Sequence, residues 1–164
     1  MVGGGLAAGM TVAETVVKEA MEEANVPEAL AASAIPAGSV SFFHRSGRGL
    51  FPNTEFVFDL ELPESFQPGN NDGEVSGFEL TPVKDIVGII TSQVDRVSIF
   101  DLVHHHHHHQ QFIMFFYPKD YKITSAPIAL DWLVRHGHVS LEEEPDLPEI
   151  VELLHVPLHF LYHN

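Results

Sequence analysis

Apolar and polar positions alternate along this chain with two distinct periods, and the change of period marks out its elements. From Val12 the apolar residues fall at Val16, Val17, Ala20 and Ala24, a stripe at helical spacing that lets one face lie on a core. Thr11 and Glu14 form a T-x-x-E capping box at its start, and Val26-Pro27 ends it. Pro27 to Ser33 reads as a short second helical turn, and Pro36-Ala37-Gly38 as a turn. Ser39 to Arg45 has strand character, with Ser46 to Gly49 a hairpin-type connection. Thr54 to Leu62 alternates strictly: Phe56, Phe58, Leu60 and Leu62 are expected on the buried face, Glu55, Val57, Asp59 and Glu61 on the other.

Ser65 to Gly73 is rich in turn formers and is expected to be an exposed loop. Glu74 to Leu80 reads as a strand, and Thr81-Pro82 as the start of a helix running to about Ile90. Ser125 to His136 is an amphipathic helix that packs Ile128, Leu130, Trp132 and Leu133, with Gly137 at its end. Trp132 is read as core. An acidic stretch, Leu141 to Asp146, is read as solvated; Pro148 to Leu154 begins a last short helix, and the apolar tail after it must dock or be exposed. Helices interleaved with strands in this way predict an α/β fold.

The helix with the apolar stripe also carries Glu19, Glu22 and Glu23, whose i, i+3, i+4 spacing places them on one face. An E-x-x-E-E pattern alone is most often a solvated surface. What changes the picture is the glycine run Gly3-Gly4-Gly5 ahead of it. Like charges so placed repel unless a cation sits between them, and clustered hard oxygen donors are what Mg²⁺ or Mn²⁺ prefers.

Gly4, Glu19, Glu22, Glu23 and Val26 fall on the signature G-x5-E-x7-R-E-U-x-E-E-x-G-U, where U is a bulky aliphatic residue. The segment therefore resembles the Nudix box, with Ala20 a small residue at the first U. Met10 stands where the signature has its first Glu (Glu14 is one turn further on), Lys18 where it has Arg, and Asn25 where it has the last Gly. Lys18 keeps a cation beside Glu19 without the planar fork of a guanidinium. More narrowly, KEAMEEANVPEALA, GSVSFFHRSGRGLFPNTEFVFDLELPE, NDGEVSGFELTPVKDI and APIALDWLVRHG look like Nudix proteins related to thiamine pyrophosphokinase, which carry an extra N-terminal domain.

The resemblance implies a Nudix-type α/β/α sandwich with a mixed sheet. Family strands precede the box, and only Met1 and Val2 precede the glycines here, so the first strands are expected to be missing and residues 1–164 to form a partial domain. It implies metal-dependent hydrolysis of a diphosphate linkage in a small organic diphosphate, thiamine-diphosphate-like or a nucleoside diphosphate derivative. Glu19, Glu22 and Glu23 would hold Mg²⁺ or Mn²⁺; Glu19, Glu23 and Glu74 would be the catalytic carboxylates; Gly3, Gly4, Gly5 and Lys18 would shape the substrate loop. The competing expectations are a catalytically incompetent Nudix fragment and an acidic interaction module.

Residues 94–119 interrupt the resemblance. They contain His104 to His109, a tract that fixes no coordination geometry, and the apolar run FIMFFY, which would be an aggregation liability if exposed. A translated intron fits best. Val94 is encoded by a GT-initial codon, Lys119 permits a terminal AG, and Phe115 to Pro118 have pyrimidine-rich codons. A natural low-complexity insertion and an engineered tag are the alternatives.

Composition narrows the rest. The 164 residues are 45% hydrophobic and 19% charged, which suits one globular domain. A net charge of −15 argues against a nucleic-acid surface and leaves anionic substrates dependent on metal ions. With no cysteine, disulfide and thiol chemistry are excluded. No apolar run is long enough to span a bilayer and no signal peptide is recognisable, so a cytoplasmic location is expected. His44, His136, His138, His155, His159 and His163 show no ligand spacing and are assigned no chemistry.

Overall fold

The computed structural model describes residues 1–86, 111–116, 125–142 and 144–161. Its elements run α1 (Val12–Ala24), α2 (Glu28–Ala31), β1 (Ile35–Ser46), β2 (Gly49–Asp59), β3 (Gly77–Pro82), β4 (Gln111–Phe116), α3 (Ser125–Arg135) and α4 (Leu147–Leu153), with a closing 3₁₀ turn at Leu158–Leu161. β1 pairs with β2, and β3 with β4, in separate two-stranded sheets. The described residues fall into two compact units: 1–38, 56–80 and 113–116 in one, and 39–55, 81–86, 111–112, 125–142 and 144–161 in the other.

In the first unit, α1 starts as its sequence dictates. Thr11 takes the Ncap position, its hydroxyl accepts from the Glu14 N–H, and the Glu14 carboxylate accepts from the Thr11 N–H in return. Ala20 and Ala24 are buried with Val26, Ala31 and Val75, and Val17, Leu30, Leu60, Leu62, Phe66 and Phe78 pack around them. Small residues on the buried stripe let the helix lie close to its neighbours.

The strands depart from the expected pattern in four places, one being β2 itself, which runs Gly49–Asp59 where a strand is expected over 54–62. β1 begins at Ile35, so Pro36-Ala37-Gly38 is strand rather than turn. Phe56 is 56% exposed whereas Val57 is buried, opposite to expectation, although Phe58 is half-buried and Leu60 and Leu62 do pack on the core cluster. The burial alternates only as far as Val57, residues 58–60 being half-buried on both faces, and side-chain size alone does not say which face meets a partner. β3 starts at Gly77 and extends through Thr81-Pro82, and residues 83–86 are helical. The expected continuation of that helix to Ile90 lies outside the described residues, as does the histidine tract. Within the interrupting stretch 94–119, residues 111–116 form β4 on β3.

In the second unit, α3 buries Ala126, Ala129, Leu130, Asp131 and Leu133. Gly137 at φ 72° ends the turn that follows it. Trp132 is only half-buried, and its ring stacks with His136 at 4.4 Å and with His138 at 5.2 Å. The apolar tail docks at its start, where the Ser41 N–H donates to Leu154 O at 2.8 Å, the Val156 N–H to Ser41 O at 2.9 Å and the Ser41 hydroxyl to Val156 O at 2.7 Å. Leu158 is buried, but Phe160 and Leu161 are exposed. Glu144 corrects the reading of its stretch as solvated, because it is fully buried and its Oε1 accepts from the Asp146 N–H.

Candidate carboxylate site on the first helix

The row of glutamates lies on the last two turns of α1, and no basic residue occupies the last turn. Carboxylates at that end face the negative pole of the helix dipole as well as one another. The fold answers each charge separately. Lys18 Nζ stands 2.7 Å from Glu22 Oε2 and 3.1 Å from Glu19 Oε1, one ammonium bridging two carboxylates. Those contacts, the Glu22 bond first and the Glu19 bond second, raise the Lys18 pKa above the ordinary lysine range.

Glu23 is turned the other way. Its side chain is buried and its Oε2 accepts from the Gly3 N–H at 3.0 Å. Burial also carries the Met1 α-amino group from 8.0 down to about 4, against the pull of the Glu23 charge.

Gly4 lies against the third carboxylate, in such proximity that a Cβ there would overlap the Glu19 carboxyl group. A Cβ at Gly3 or Gly5 would meet nothing within 4 Å. The glycine run therefore folds back onto the carboxylate row at two points, Gly3 through its N–H and Gly4 through its missing side chain. Gly5 is exposed.

Asn25, where the box has glycine, takes the left-handed conformation (φ 53°, ψ 33°) that ends α1. Asparagine tolerates that region better than other side chains, so the backbone of the motif survives the substitution. Glu14 does not make up for the acid missing at Met10. Hydrogen bonds from the Thr11 backbone and then its hydroxyl commit Glu14 to the helix cap and hold it below the usual carboxylate range.

Glu74 belongs to a loop pinned to the same end of α1. The Gly69 N–H donates to Ala24 O at 3.1 Å and the Asn71 N–H to Glu22 O at 3.0 Å, while Asn71 Nδ2 reaches Met21 O at 2.7 Å and Asn25 Oδ1 at 3.0 Å. The bonds to Glu22 O and Ala24 O occupy carbonyls that a helix end otherwise leaves open, while Met21 O also accepts from the Asn25 N–H. The Glu74 side chain is exposed, and its N–H donates to Asp72 Oδ1 at 2.8 Å. Sequence reasoning passed over Asn71 and Gly69. The only local signal is the density of Asn, Asp and Gly, which announces a turn and not its docking partner.

The donor chemistry fits a hard divalent cation, because the row offers carboxylate oxygens and two of them already converge on one positive charge. Among the described residues, however, no three His, Asp or Glu side chains are grouped closely enough to hold a metal ion. Glu19 and Glu22 form the converged pair, and Glu23 stands apart on Gly3.

No protein-family model matches the chain. It is 41% identical to Nudix hydrolase 24, chloroplastic, of Arabidopsis thaliana over 153 residues, 93% of this chain and 34% of that protein. It is 32% identical to Nudix hydrolase 20, chloroplastic, of the same plant over 142 residues, 87% of this chain and 31% of that protein. An uncharacterised protein of Saccharomyces cerevisiae is 28% identical over 172 residues, 98% of this chain and 43% of its own length. The chain thus spans less than half the length of each relative. Two relatives named as Nudix hydrolases, aligned across nearly all of the chain, support the Nudix family for it.

Proposed function

We propose that this chain is part of a Nudix hydrolase that cleaves a diphosphate linkage in a small organic diphosphate, with Mg²⁺ or Mn²⁺ as cofactor. The observation that carries the reading is the glycine run folded onto the glutamate row, with Gly3 on Glu23 and Gly4 on Glu19. A solvated acidic face needs neither contact. Similarity to the two Arabidopsis proteins supports the same reading.

Glu19 and Glu22 would hold the divalent ion, taking over the charge balance that Lys18 provides, and Glu23 would complete the set. The ion, when bound, neutralises diphosphate oxygens and eases deprotonation of the attacking water. The chain's own part is positioning. Gly3 fixes the Glu23 carboxylate through its N–H, Gly4 leaves room for Glu19, and Lys18 stays beside the site as a mobile cation for a phosphate oxygen. Glu74, exposed in a loop pinned to the helix end, is the candidate to accept the proton of that water. The substrate is a nucleoside diphosphate derivative or a thiamine-diphosphate-like compound.

A second reading is a Nudix fold without turnover. It is favoured by the split arrangement, in which Lys18 engages Glu19 and Glu22 while Glu23 turns to Gly3. Phosphate or phosphomonoester release from nucleoside diphosphates, nucleoside diphosphate sugars and thiamine diphosphate, with and without Mg²⁺ or Mn²⁺, separates the two. Metal-dependent turnover of any of these supports hydrolysis; Mn²⁺ binding without turnover supports the second reading.

A further inference from the structure

We propose that Asn71 is a positioning residue for the carboxylate row, fastening the loop that carries Glu74 to the last turn of α1. The inference rests on the divalent-cation site proposed above and adds the element that would keep its two parts in register.

The geometry is that of a helix cap supplied by a distant segment. Three carbonyls near the end of α1, those of Met21, Glu22 and Ala24, accept hydrogen bonds from Asn71 and Gly69. The Asn71 side chain also spans to Asn25 Oδ1, on the residue whose left-handed turn stops the helix. Its backbone N–H bonds the carbonyl of Glu22, one of the proposed ligands, so movement of Asn71 is transmitted to the ligand's own backbone.

The loop is also braced from within. Asn70 Oδ1 accepts the Gly73 N–H at 2.8 Å, its Nδ2 donates to Val75 O, and Asp72 accepts the Glu74 N–H at 2.8 Å. Val75 then enters the core cluster beside Ala20 and Ala24 of α1. Glu74 is thereby held between two anchors on the same helix, Asn71 before it and Val75 after it. Bonds to helix-end carbonyls contribute modestly each, but three together, with the bond to Asn25 Oδ1 and one buried side chain, set a backbone position closely. The exposed Glu74 side chain is free to turn toward a ligand while its α-carbon stays fixed relative to Glu22 and Glu23.

The test uses Mn²⁺ alone as the probe on the full chain. Asn71→Ala should weaken Mn²⁺ binding about tenfold, the scale of losing a group that orients a metal ligand. Linkage requires the converse in the unaltered chain: saturating Mn²⁺ should slow hydrogen exchange at the Gly69 and Asn71 amides, also by about tenfold. This second measurement needs no variant to fold. Faster exchange at Gly69 in Asn71→Ala with unchanged Mn²⁺ affinity would make the residue a cap and nothing more, overturning the proposal. Mn²⁺ binding to the unaltered chain that leaves both amides unaffected would overturn it equally. If the unaltered chain takes up no Mn²⁺, the cation site itself fails, and the role of Asn71 fails with it.

Discussion

The carboxyl group of Glu19 occupies the space that a side chain on Gly4 would need. This relationship separates two kinds of effect that glycine substitutions usually mix. The obstacle to a methyl group at Gly4 is the far end of a flexible side chain, so Gly4→Ala should move Glu19 and leave the helix in place. We expect a stability change within about 0.5 kcal/mol, the range of surface substitutions. Mn²⁺ affinity should fall several-fold because one carboxylate is redirected. Gly5→Ala, where a Cβ meets nothing, is the internal comparison and should leave affinity unchanged. Isothermal titration with both variants checks this, and equal affinities in the two would remove Gly4 from the site.

Glu23 is the buried member of the row, and one of its partners is a backbone N–H that donates equally well to a neutral amide oxygen. Glu23→Gln keeps that bond and should still fold. Loss of the charge should nonetheless cost about 100-fold or more in metal-dependent turnover, since even groups that only orient ligands reach that scale. Steady-state phosphate release beside a thermal melt makes the comparison. A variant that keeps its rate would take Glu23 out of the mechanism.

Lys18 balances Glu19 and Glu22, and a divalent ion at that pair must displace its ammonium. Lys18→Met removes the competitor, and Mn²⁺ binding should tighten at low salt. The same change leaves two carboxylates uncompensated before metal arrives, so the metal-free variant should melt lower than the parent. That deficit should close as salt is added, because exposed charges are screened. Melting curves across a salt series, with and without Mn²⁺, report both effects; weaker Mn²⁺ binding would mean that Lys18 holds the carboxylates in their binding pose rather than competing for it.

Local signals carried the helix and its cap. Thr11 and Glu14 lie within one turn of each other, and the capping box follows from helix geometry alone, whereas the turning of Glu23 away from Glu19 and Glu22 onto Gly3 does not. The αL stop at Asn25 falls just ahead of the Val26-Pro27 break expected from the sequence. What the sequence concealed was non-local. Asn71 and Met21 are separated by 50 positions, and nothing in an Asn-Asn-Asp-Gly run names a helix end as its target. The face of β2 was equally hidden, since Phe56 is the larger apolar residue and Val57 the buried one. Glu144 shows the limit of charge as a guide: one acid in an acidic stretch is fully buried while Glu142 and Asp146 are exposed.

The capping box gives α1 a pH dependence whose sign can be worked out. Glu14 accepts hydrogen bonds from the Thr11 N–H and hydroxyl, both at 2.8 Å, which lower its pKa from 4.5 in the folded chain. A carboxylate with a depressed folded-state value contributes stability that is fully present above 4.5 and is lost as pH falls through the depressed value. Glu14→Gln retains a neutral acceptor without the charge, so the parent's advantage over it should be constant near neutral pH and shrink below that point. Thr11→Ala removes the other half of the box and should cost about 1 kcal/mol at neutral pH, the usual scale for a lost Ncap hydroxyl. In that background Glu14 has lost its hydroxyl donor, so the pH at which its contribution disappears should move up toward 4.5. Urea titrations of the parent and the two variants from neutral to acidic pH measure all three quantities. An advantage over Glu14→Gln that stays level, or widens, in acid would show that the Glu14 charge does not support the start of the helix.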